Sequence, residues 1–158
     1  MSDNILNNVT YEEIKVGQSV TLVKQLTAND ILLFGYMSGD VNPAHFNHDY
    51  AKGTMFKDVI AHGMWSGSLI STLLGTQLPG PGTIYLSQSL KFSRPVYVGD
   101  VVTAEIKVTE KKEKNRVVFE CTCYKQNNEV VTSGVAEVIA PTAKVSVSAP
   151  QLSLKAIA

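Results

Sequence analysis

The chain lacks an excess of charge of either sign: Lys and Arg together number 14, and so do Asp and Glu. Without a net field nothing global draws it to nucleic acid or to an anionic membrane, and a polyanionic ligand has to be met by a local cluster. It also lacks any apolar run near the ~20 residues that span a bilayer. The opening Met1-Ser-Asp-Asn-Ile-Leu-Asn-Asn8 has neither the basic stretch nor the apolar core of a secretory signal. The expectation is a cytoplasmic protein with no nucleic-acid or membrane partner. Cysteine is scarce as well. Cys121 and Cys123 flank a single threonine, so in a strand both point to one face. A lone Cys-x-Cys has no second ligand pair for zinc, and a disulfide between such close neighbours is strained, so both are read as buried apolar thiols. A Gly-rich phosphate loop, a nucleophile elbow and a metal-ligand cluster are all missing from the sequence, and no metal or redox cofactor is expected.

What is present suits one domain. The 158 residues are 44% hydrophobic and 18% charged, enough to bury one substantial core. Residues 18–26 read as a strand. Thr27 is an N-cap before a helix over 28–37, with Asp30 in its first turn. Residues 47–56 allow one or two helical turns, ended by Gly53. Residues 64–78 carry no charge over four turns, which predicts a helix buried on every side, and Pro79-Gly80-Pro81-Gly82 ends it. From there the period becomes two. Ile84, Leu86, Gln88, Leu90 and Phe92 share a face, then Val102 to Val108, then Val117 to Cys123, and a last strand covers 130–140. Turns fall at 110–115 and 126–128. Residues 1–10 and 141–158, small and polar, read as a flexible N-terminus and a flexible tail around a domain spanning 11–140.

The chemistry concentrates in Tyr36-Met-Ser-Gly-Asp-Val-Asn-Pro-Ala-His45. A carboxylate, a carboxamide and an imidazole lie within six residues. Gly39 permits positive φ, and Pro43 fixes its own φ and pushes Asn42 toward extended backbone, so Asp40, Asn42 and His45 sit on a stiffened loop. Taken alone, Asp-x-Asn-Pro is also an ordinary Asx-turn ahead of a helix.

In these residues the chain resembles the MaoC-like, (R)-specific enoyl-CoA hydratases, whose signature matches at Tyr36, Ser38, Gly39, Asp40, Asn42, Pro43, His45 and Ala51. Ala44 departs from it, being smaller than the usual Leu, Ile or Val. The likeness runs on through Val59-Ile-Ala-His-Gly-Met64, residues 77–86 and Leu90-Lys-Phe-Ser-Arg-Pro-Val-Tyr-Val-Gly-Asp100. It implies an α+β hot-dog fold, an antiparallel sheet wrapped round a central helix, and a homodimer. It further implies hydration of a trans-2-enoyl-CoA to the (R)-3-hydroxyacyl-CoA, with the coenzyme A thioester as substrate and no other cofactor. The tail also looks like the linker by which such domains are fused to a phosphate acyltransferase.

Hydration needs an activated water, a proton for C2 and a place for negative charge on the thioester oxygen. Asp40 and His45 are the expected acid/base pair, with the proton acceptor between them left open, and Asn42 is expected to orient the carboxylate or the water. The Gly63 amide, at the start of the uncharged helix, is the expected oxyanion donor. His62 reads as a structural imidazole ahead of a catalytic one, and His48 as surface. The resemblance puts Ser71, Leu74 and Val138 along the acyl pocket, and plain core packing stays open for Leu74 and Val138. Lys91 and Arg94 are the nearest candidates to meet coenzyme A phosphates. Trp65, Met64 and Leu74 are expected to close the pocket at short acyl chains. Two other readings stay open: a thioesterase or dehydratase acting on another carrier, and a non-catalytic acyl-binding and dimerisation module of a larger transferase.

Overall fold

The computed structural model describes residues 4–153. In chain order the elements are β1 (Ile5–Asn7), β2 (Ser19–Gln25), α1 (Ala28–Ser38), α2 (Pro43–Phe46), α3 (His48–Lys52), α4 (Gly63–Thr76), β3 (Ile84–Phe92), β4 (Val101–Lys112), β5 (Arg116–Lys125), β6 (Val130–Ile139) and β7 (Ser146–Ser148). Five strands form one sheet in the order β2-β4-β5-β6-β3, with every pair antiparallel. This is the expected α+β hot-dog arrangement, with α4 lying against the sheet.

Alternation explains the packing. Val102, Ala104, Ile106 and Val108 on β4 and Val117, Phe119, Cys121 and Cys123 on β5 turn inward and are buried, facing Trp65, Leu69, Ile70, Leu73 and Leu74 of α4. Each such aliphatic side chain contributes about 1.5–3 kcal/mol on leaving water. Both thiols are core groups, as expected, and burial pushes Cys121 up to about 11 and Cys123 up to about 12. The long β4–β5 hairpin closes at Lys114 and Asn115, both at positive φ. The strands run on to Lys112, past the boundary expected from the charge run.

The chain ends differ from expectation. Residues 5–7 and 146–148 pair antiparallel as a two-stranded sheet of their own. Asn8, 1% exposed, holds them: its amide donates to the Pro81 and Ala143 carbonyls and its side-chain oxygen accepts from the Val145 N–H. The Lys144 ammonium adds a bond to the Asn8 carbonyl and a salt bridge to Glu13. The flexibility expected for residues 1–3 and 154–158 lies outside the described residues. Among the described residues no helix is long and apolar enough to cross a membrane.

Candidate active site

The site is built where the segment after α1 meets the segment before α4. A reciprocal cap between Thr27 and Asp30 starts α1, and Gly39 stops it in the left-handed region at φ 77°. The chain then folds back on itself. The Asp40 carboxylate accepts the Asn42 N–H at 3.1 Å, so the Asx-turn and the acid/base reading describe the same residue. The amide oxygen of Asn42 has a backbone partner. That oxygen accepts the Ala44 N–H at 3.0 Å and caps α2, a helical turn started by Pro43 and taken for loop in the sequence. His45 lies on the turn that Asn42 caps.

His45 Nδ1 lies 2.8 Å from the Ile60 carbonyl oxygen. A carbonyl only accepts, so Nδ1 carries the proton and Nε2 is the basic nitrogen of the neutral ring. The Ile60 N–H in turn donates to the Ala44 carbonyl, tying the two segments together. His62 stacks on His45 with centroids 3.9 Å apart at 28°, and its Nε2 lies 3.0 Å from the Asp40 carbonyl oxygen. A carboxylate oxygen of Asp40 and ring nitrogens of His45 and His62 all fall within 4.8 Å of one another. One water making hydrogen bonds of ordinary length, about 2.8 Å each, bridges a gap of that size. Among the described residues the same three groups lie close enough to hold a metal ion, a cluster not legible from spacing.

Gly63 opens α4 directly after His62, which gives the first turn no side-chain cap. A Cβ on Gly63 would meet the Phe92 ring at 2.9 Å, so a larger residue there would have to displace that side chain. Gly63 borders a cleft of 710 Å³ with His62, Met64, Ser66, Phe92, Arg94 and others. A second cleft of 440 Å³ runs along the outer side of α4, with Ser71, Phe34, Gln88 and Leu90 on its walls, and Met64 stands between the two. A smaller hollow of 330 Å³ lies behind His45, with His48 and Asp58 at its rim. His48 is exposed, as expected, and pairs with Asp58. The Val59 N–H, together with His48, holds the Asp58 carboxyl below the usual range.

The expected site residues thus divide. Asp40 and His45 come together with His62, Gly63 follows His62 at the start of α4 and lines the first cleft, Ser71 lines the second cleft, and Arg94 lines the first, paired with Glu129. Leu74 and Val138, 1% and 0% exposed, belong to the core and border neither cleft. Trp65 is likewise turned into the core, so of the three residues expected to close the acyl pocket only Met64 is placed to do so. Lys91 is one residue out of phase. Leu90 and Phe92 face α4, so Lys91 points off the opposite side of β3 and lies on neither cleft. Spacing gave no sign of the contacts His62 makes.

Residues 11–131 match the model of the MaoC like domain. The chain belongs to that family. This MaoC-like chain is 52% identical over 132 residues to an (R)-specific enoyl-CoA hydratase of Rhodospirillum rubrum, covering 83% of the chain and 91% of that protein. It is 41% identical over 132 residues to a 3-hydroxybutyryl-CoA dehydratase of Methylorubrum extorquens, covering 83% of each. Its fold superposes with a TM-score of 0.91 on the unliganded R-hydratase PhaJ1 of Pseudomonas aeruginosa, at 45% identity over 95% of this chain and 97% of that one.

Proposed function

We propose that this MaoC-like protein adds water to short trans-2-enoyl-CoA thioesters, giving (R)-3-hydroxyacyl-CoA, and runs the reverse dehydration. The observation that carries the proposal is the Asp40 carboxylate and His45 imidazole held within reach of one water, beside the uncapped start of α4. The water's oxygen bonds to C3 as one of its protons passes to the pair, and the pair returns a proton to C2 on the same face, so H and OH are added in balance. The thioester oxygen, negative in the transition state, sits at the Gly63 N–H, where the helix end favours it. No cofactor enters this scheme. A pair held by an Asx-turn, a capped helical turn and a carbonyl bond has no use in a purely acyl-binding scaffold, which argues against the non-catalytic reading.

Coenzyme A as carrier is supported by the names of the relatives and by Arg94 at the mouth of the larger cleft. Short chains are supported by Met64, whose side chain closes over Gly67 and separates the two clefts. A homodimer completes the picture. Strand β3 is an edge of the main sheet, and its Ile84, Leu86 and Phe92 are 56%, 42% and 51% exposed, apolar surface that pairing with a second copy would cover.

Incubating the purified chain with crotonyl-CoA, following loss of the enoyl absorbance and resolving the product's stereochemistry, tests the activity. The (R) product is expected, with hexenoyl-CoA accepted and octenoyl-CoA turned over less well. No turnover, or the (S) product, would refute the assignment. Light scattering showing an active species of 17.1 kDa would refute the dimer.

A further inference from the structure

One side chain outside the proposed mechanism touches all three of its devices. His62 is 3% exposed, and its Nε2 lies 3.0 Å from the carbonyl oxygen of Asp40, 22 residues earlier. Its ring stacks on His45, with Phe34 packed at 4.7 Å and Phe46 edge-on at 5.8 Å. It is also the residue from which α4, and so the Gly63 amide, begins. Because a carbonyl accepts and cannot donate, Nε2 carries the proton. The lone pair is then on Nδ1, which is buried with no hydrogen-bond partner. An unpaired buried acceptor is unfavourable, and a phenyl ring would make the same apolar contacts without it. What an imidazole supplies here that a phenyl ring cannot is the Nε2–H on Asp40.

That bond stands where the loop is otherwise weakly tied. At the His45 end, two hydrogen bonds to Ile60 join the loop to the segment before α4. At the Asp40 end the loop's other bonds are local, to Ser38 and Asn42, and Asp40 itself is exposed. We propose that His62 is a positioning residue whose Nε2–H pins the main chain at Asp40 and so keeps the carboxylate within one water of His45. The proposal rests on the hydration reading above. A displacement on the order of 1 Å between reacting groups costs up to about 10²-fold in rate, so a single backbone anchor at this point acts on turnover more than on binding.

Two variants separate the donor from the ring. His62→Phe keeps ring and volume and loses the donor. His62→Gln loses the ring and keeps an N–H donor of similar reach. His62→Phe is expected to lower kcat for crotonyl-CoA about 10- to 100-fold with KM changed less than about threefold and the melting temperature little moved, and His62→Gln to restore kcat to within about fivefold of the parent. Amide hydrogen exchange over residues 39–48 should quicken in His62→Phe and not in His62→Gln. Parental kcat in His62→Phe, or equal losses in both variants that follow a fall in melting temperature, would overturn the proposal. Loss of folding in both His62→Phe and His62→Leu would assign the residue to the fold and overturn it too. The exchange measurement needs no turnover, so it judges His62 even if the parent protein proves unable to hydrate crotonyl-CoA.

Discussion

Helix α4 has one sealed face and one open one. Trp65, Ser66, Leu69, Ile70, Leu73 and Leu74 are closed against the sheet, whereas Gly63, Met64, Ser68, Ser71, Thr72 and Gly75 are exposed. The two faces are made from the same uncharged alphabet, and composition alone had predicted burial all round. The difference is one of size. The large side chains of Trp65, Leu69, Ile70, Leu73 and Leu74 sit on the sealed face, and the open face, Met64 apart, carries small or hydroxylated residues, several of which border the two clefts. An uncharged helix can thus be half core and half site, and most of its small residues lie on the site half.

Substitutions should separate the two faces. The largest effect is expected on the open side: Asp40→Asn and His45→Gln should each lose about 10²–10⁴-fold in crotonyl-CoA hydration, measured by steady-state kinetics, with the circular dichroism spectrum and melting temperature retained. On the sealed side Leu73→Ala, which leaves a hole at a fully buried position, should cost about 2–5 kcal/mol in urea unfolding and leave kcat unchanged at a temperature where the variant is folded. If Leu73→Ala lowered kcat as much as stability, the division into two faces would be wrong. Asn42→Ala bridges the two, because it removes the α2 cap and keeps every titrating group. A cost of about 0.5–2 kcal/mol is expected, together with a fall in kcat smaller than that of either member of the pair.

The smallest effect is expected far from both faces. A hydrogen bond from Lys144 first, then those from the Thr10 backbone and hydroxyl, holds the Glu13 carboxyl down to about 2 from its ordinary 4.5. A depressed carboxyl stabilises the folded state above its ordinary value and ceases to do so as pH falls through the folded one. The melting temperature of Lys144→Ala should therefore lie slightly below the parent's at pH 7, and the gap should close as pH falls from about 4.5 to about 2. A gap that widened on acidification would show that Glu13 is not the group involved.

How much the sequence disclosed follows from how local each signal is. The strands of the main sheet alternate over seven or more residues, and α1 announces itself through Thr27 and Asp30, so both were readable. Turn α2 was missed although its cap and its proline stood in plain view at Asn42 and Pro43, because the same pair also describes a stiff loop. Strands β1 and β7 are three residues each and exist only through pairing between the two ends of the chain, anchored by one buried asparagine, for which there is no local pattern. Within the site, Asp40 and His45 as neighbours and Gly63 at the start of α4 were legible, because these placements follow from short separation and backbone position. Leu74, Val138 and Lys91 were not, since which way each points depends on helix phase and strand parity, and a shift of one residue reverses the answer.

The central claim is that Asp40 and His45 act together on one water. The most direct test is the double variant Asp40→Asn/His45→Gln, compared with each single variant for kcat/KM on crotonyl-CoA. Groups that work as a unit lose nearly everything with the first removal, so the double variant should be no slower than the worse single variant by more than a few-fold. If the two losses instead multiplied, each residue would be acting alone, and the shared-water account would be contradicted.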